Sequence, residues 1–203
     1  MYSPPVGAAT ASPRAPRPHA APPAHRRRTE TRRMEVLVYP DPVLRRGGKP
    51  ITTFDADLRK TAEQMTAAMY EEVGCGLAAP QVGIELRLLV LNPSGDRNDK
   101  DGEKVLCNPK ITKKKGREFG EEGCLSFPSM HAEVERWIEI TVEYQDLAGQ
   151  PQKLTADGFL ARVIQHEMDH LDGVLYVDRL TASEKLRVKA QLQELEAEFR
   201  ARA

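Results

Sequence analysis

The 203-residue chain suits a single domain with a sizeable core, and its 30 basic and 30 acidic side chains cancel. The balance is uneven: residues 1–33 hold seven arginines and one acid, Glu30, whereas residues 34–203 hold 23 basic and 29 acidic groups, which argues against a nucleic-acid-binding face on the body. Three irregularly spaced cysteines argue against a disulfide scaffold, and no run approaches the ~18 apolar residues of a membrane span.

Residues 1–33 are rich in Pro, Ala and Arg and read as a disordered extension. They lack the apolar core of a secretory signal. Their bias to Pro over Ser favours a bacterial extension, or Met34 as the working start, over an organelle transit peptide. Residues 34–203 read as one domain.

Thr53 is placed to cap a helix with Asp55 and Asp57 in its first turn and Leu58, Ala62, Met65 and Met69 on one face. Gly74 and Gly76 end that helix. Leu86 to Leu91 reads as a buried strand. Residues 133–144 alternate, with Val134, Ile138, Ile140, Val142 and Tyr144 on one side. Arg136 interrupts that apolar side, and Trp137 the polar one. After a turn at Ala148-Gly149, residues 151–155 can pair back.

A helix over about 157–171 carries Phe159, Val163, Ile164, Met168 and Leu171, and reads as central and buried. A last helix, about 182–203, starts at a capping box from Thr181 to Glu184 and presents Val188, Leu192, Leu195 and Phe199. The class is α+β: antiparallel strands surrounding a central metal-binding helix, with a C-terminal helix.

The chemistry centres on His166-Glu167-Met168-Asp169-His170. Two histidines four apart on a helix share one face and can bind one cation. Glu167 then lies beside the site, where it can take a proton from a metal-activated water. A catalytic site of this kind needs a third protein ligand and an open position. The metzincin position for it holds Tyr176, and no histidine follows His170. The glutamates of 184–198 lie on an amphipathic surface helix and read as solvated. Cys124, between Gly123 and a nearby proline, sits in a shaped loop that could present a thiolate, although a single cysteine is more often a small buried hydrophobe.

Three segments together resemble peptide deformylases. They are Gly74-Cys75-Gly76-Leu77-Ala78-Ala79-Pro80-Gln81-Val82-Gly83, Glu122-Gly123-Cys124-Leu125-Ser126, and Gln165 to Gly173 around the two histidines. The stretch from Val36 to Arg45 also resembles that family's start, so the resemblance spans about residues 34–180. It implies that Cys124, His166 and His170 bind one metal ion, ferrous iron, with nickel, cobalt or zinc able to substitute. It implies that Glu167 is the base and that Gln81 and the Leu125 N–H stabilise the oxyanion. Gly74, Cys75 and Gly76 would run beside the substrate, with Gln165 and Glu122 supporting the site and Asp169 turned away from the metal. The expected substrate is the N-formyl-methionyl end of newly made polypeptides near the ribosome, met by a monomer in a bacterial cytoplasm. DNA and membrane are not expected partners. Arg162 and His131 depart from the commonest pattern: an apolar residue and an arginine are frequent there. An endopeptidase built on the same histidine motif, and a non-catalytic peptide- or ribosome-binding relative, are the competing readings.

Overall fold

The computed structural model describes residues 34–202. The reading of residues 1–33 as a disordered extension lies outside them. One antiparallel sheet runs in the order β1 (Gly76–Ala78), β2 (Leu88–Leu91), β3 (Lys104–Cys124), β4 (Phe127–Gln145) and β5 (Pro151–Asp157). The helices are α1 (Ala56–Glu71), α2 (Gly158–Leu171), α3 (Ala182–Arg187) and α4 (Lys189–Arg202). The α+β expectation holds, with α2 as the buried helix. No helix among the described residues is long and apolar enough to cross a membrane.

The unbroken apolar run of β2 has a packing cause. Leu88 and Val90 join the cluster that holds Met65 and Met69 of α1, while Leu89 and Leu91 join the cluster that holds Ile164 and Leu171 of α2. A strand covered on both faces needs apolar residues at both parities. β2 is shorter than the Leu86–Leu91 expected, because Leu86 instead bridges Lys49.

Other boundaries also shift. Asp55 caps α1 in place of Thr53, its carboxylate accepting from the Leu58 N–H at 2.9 Å. A carboxylate at that end also complements the helix dipole. α1 stops at Glu71, Gly74 N–H closes onto Met69 O at 2.8 Å, and Gly76 already belongs to β1. In β4, Val134, Ile140 and Val142 are buried as expected, but Ile138 is exposed. Phe159, at the start of α2, is also exposed. The last helix is two: Val188, wholly buried, is drawn into the cluster with Phe127 and Tyr176 and bends the chain between α3 and α4. Only half of the capping box forms. Thr181 accepts from Glu184 N–H, while the Glu184 carboxylate turns to Arg187 and to Glu133 N–H.

Candidate active site

Cys124 is the last residue of β3, and a two-residue turn, Leu125-Ser126, leads into β4. Cys124 pairs with Phe127 but its neighbour Gly123 pairs with His131, so residues 128–130 bulge out of the ladder. The bulge needs Ser129 at φ +58°. The tip so shaped faces α2. Cys124 Sγ lies 3.3 Å from His170 Nε2, and Cys124, His166 and His170 present donor atoms all within 4.8 Å of one another.

His166 has a backing group, whereas His170 Nδ1 is buried without a partner among the described residues. His166 Nδ1 is 2.9 Å from Glu122 Oε2, which leaves Nε2 toward the thiol. Glu122 also accepts from Arg136 Nε at 2.8 Å and Nη2 at 3.0 Å. Arg136 reaches Asp169 at 2.6 Å, and Arg179 closes the chain onto Asp169 at 2.6 Å. Burial alone would push the Glu122 carboxyl up; the bonds from His166 and Arg136 outweigh it and hold it at about 2. Burial pulls His170 well below the ordinary histidine value, and the charge of His166 adds to this, so the ring is neutral, the form in which it donates a lone pair. For His166 burial also pulls down, but Cys124 and Glu122 outweigh it and the ring is raised.

A soft thiol and two converging imidazoles, one of them held by Glu122, fit one transition-metal ion. Asp169 points away to Arg136 and Arg179, as expected. Tyr176 is buried, its ring tilted 38° with its centroid 5.9 Å from that of His166, and donates to Met130 O at 3.1 Å, so it packs the site and supplies no ligand. Gln165 ties α2 to the Trp137 backbone, accepting from its N–H at 3.0 Å and donating to its C=O at 2.9 Å.

A cavity of about 520 Å³ opens on this cluster. Gly74, Cys75, Gly76, Gln81, Leu125 and Glu167 line it, together with Cys124 and His166, while His170 lies behind them at 1% exposure. Gln81 Oε1 accepts from Ala78 N–H at 2.8 Å, which aims Nε2 at Ser126 Oγ (3.2 Å) and Cys124 Sγ (3.6 Å). Glu167 is 4% exposed, and its Oε2 is buried without a partner among the described residues. Burial pushes its carboxyl up to about 7, against the opposing pull of His166.

Gly76 makes room for Glu167: a Cβ there would stand 2.5 Å from Oε1 and 2.8 Å from Cγ. Gly76→Ala is therefore expected to push Glu167 aside. Turnover should fall at least ~10-fold, since misplacement by about 1 Å can cost a hundredfold, with the melting temperature the control for global folding.

Arg136, which holds Glu122 and Asp169 together, has no assigned role in the sequence reading; its one trace is the interruption of the apolar side of β4. Ser126, buried beside Gln81, stands in one of the three resembling segments but carries no role of its own there.

The family model described as polypeptide deformylase matches residues 33–186. A peptide deformylase of Rhizobium meliloti (strain 1021) is 46% identical over 147 residues, 72% of this chain and 84% of that one. A chloroplastic peptide deformylase 1B of Oryza sativa is 42% identical, over 82% of this chain and 62% of its own length. A solved peptide deformylase from Plasmodium falciparum superposes with a TM-score of 0.80 at 36% identity, covering 82% of this chain and 98% of that one. Sequence and three-dimensional likeness extend over nearly all of the described fold, and on them the chain belongs to the polypeptide deformylase family.

Proposed function

We infer that this enzyme hydrolyses the formyl amide at the N-terminal methionine of newly made polypeptides, releasing formate and a free amine. Besides family membership, the observation that carries the reading is Glu167: a buried carboxylate with one oxygen that has no partner among the described residues, sharing one cleft with Cys124, Gln81 and His166. No observation favours the endopeptidase reading.

Cys124, His166 and His170 would hold the metal ion, and we assign ferrous iron, with nickel, cobalt or zinc as substitutes. Bound there, a divalent cation supplies Lewis acidity, which makes water acidic near neutral pH. The protein groups do the rest. Glu167 takes the proton as oxygen adds to the formyl carbon. Gln81 Nε2 and the Leu125 N–H donate to the carbonyl oxygen as it becomes negative. Glu167 then returns the proton to the nitrogen as the C–N bond breaks. Gly74, Cys75 and Gly76 lie beside the incoming chain; β1 is an edge strand, so a peptide can add alongside it.

Residues 34–203 form the catalytic domain in this reading. The enzyme works as a monomer on chains emerging near the ribosome of a bacterial cytoplasm. The chloroplastic relative supports the alternative of an organelle, and mass spectrometry of the native N-terminus decides between them.

Anaerobically prepared, iron- or nickel-loaded protein should release formate from formyl-Met-Ala-Ser, and chelation should abolish the release. No formate under either loading sinks the reading. Gln81→Ala should lower kcat about 100- to 1,000-fold, the usual size of one lost oxyanion donor. Unchanged kcat would remove Gln81 from the oxyanion role.

A further inference from the structure

Arg162 sits one helical turn before His166 in the wall of the cleft, at 8% exposure. The cleft is lined by Phe127, Met130 and Val163 as well as by the acids Glu121 and Glu122. A buried arginine is uncommon and calls for partners. Nη1 finds them: Val134 O at 2.9 Å, Glu122 Oε1 at 3.0 Å and Gly120 O at 3.3 Å. Nη2 makes a 3.4 Å approach to Glu118 O and lies 3.7 Å from Glu118 Oε1, both long, so the guanidinium keeps donor capacity. The space for it is provided by Gly120, where a Cβ would stand 2.7 Å from Nη2 and 3.1 Å from Nε.

Glu122 does not depend on this cation alone. Glu122 already accepts two bonds from Arg136 and one from His166. Arg162 and Glu167 line the same cleft, five residues and about 7.5 Å of helix rise apart, comparable to the span from a formyl oxygen to the sulfur of an extended methionine. A first side chain laid along α2 from a formyl group beside Glu167 thus ends within reach of Arg162.

We propose that Arg162 is a specificity-determining residue whose guanidinium donates an N–H to the end of the substrate's first side chain. The pocket then favours a chain ending in an acceptor over a hydrocarbon of equal length. A thioether sulfur is a weak acceptor, and the oxygen of methionine sulfoxide a strong one. Polypeptides that begin with oxidised formyl-methionine are thus a substrate class of this enzyme. The proposal rests on the deformylase reading.

The test compares kcat/KM for formyl-Met-Ala-Ser, its norleucine analogue and its methionine-sulfoxide analogue. The wild type should prefer the sulfoxide to norleucine about 10- to 100-fold, the span of one hydrogen bond from a charged donor. Methionine should fall between the two. Arg162→Met leaves Glu122 its bonds from Arg136 and His166, so the fold should survive. Both preferences should shrink to within about twofold, through KM more than kcat for norleucine. Gly120→Ala keeps the charge but displaces the guanidinium, and should move the ratios the same way. Ratios unchanged in both variants of an enzyme that releases formate overturn this proposal alone. No formate from any of the three peptides overturns the deformylase reading with it.

Discussion

Glu167→Gln should lower kcat by about 100- to 10,000-fold, the span attributed to a positioned general base, and should stabilise the metal-free protein above neutral pH. Both effects come from one buried carboxyl. Its folded value of about 7 lies above the ordinary 4.5 that it has in the unfolded chain. Between these values the folded state holds the proton more tightly than the unfolded one. Stability from this group is therefore fully present below about pH 4.5 and is lost as pH rises through about 7. A displacement of this size corresponds to roughly 3 kcal/mol. Glutamine does not titrate, and its neutral amide does not require a charge to be buried. Urea unfolding of both metal-free proteins at pH 5 and pH 8 reads the effect as a difference: the histidine contributions are shared, so the wild type should lose stability relative to the variant as pH rises. A cation bound at the cluster would draw the wild-type value back down, so the fall should shrink on metal loading. Retained formate release in the variant would remove Glu167 from the base role.

Arg136→Met should cost about 3–5 kcal/mol, the penalty of breaking a buried ion pair by removing one partner. Arg136 is 5% exposed and joins Glu122 to Asp169. Without it Asp169 keeps Arg179, which is half exposed, but Glu122 keeps only Arg162 and His166. For a domain of this size the loss appears as a drop of about 10 °C in melting temperature. It should also blunt the acid limb. Glu122 has a folded value of about 2, below its ordinary 4.5, so its contribution is complete above about pH 4.5 and is lost as pH falls toward 2. A variant that melts within 2 °C of the wild type would show that the network is not what holds α2 against β3 and β4.

Part of the candidate site was legible because its chemistry is written locally. His166, Glu167 and His170 need only the helical repeat to share a face, and Cys124 needed the family resemblance because its partners lie 42 and 46 residues away. Packing partners are long-range and were less visible. Arg136 showed only as a wrong residue type on a buried side, since the acids that neutralise it stand on another strand and on a helix. The long β3 was not foreseen: residues 112–119 are exposed on both faces, so no alternation marks them. Thr53 and Asp55 are both good caps, and only the geometry of chain entry decides between them. The bend at Val188 follows from a side chain buried by residues far back in the chain, which helical periodicity cannot report.

The split origin of the donor set links cation capture to assembly of the fold. The thiol rides on the tip of a hairpin and the imidazoles on a helix laid across it, so the three atoms converge only when sheet and helix are docked. Any ion that prefers the trio to its scattered parts acts as a clamp across that seam. Its concentration sets how often the seam opens, through the mass-action gain RT ln(1 + [L]/Kd). Amide exchange along α2 should then slow in proportion to free metal, and a chain starved of the ion would present its buried hydrophobic strand to proteases more often.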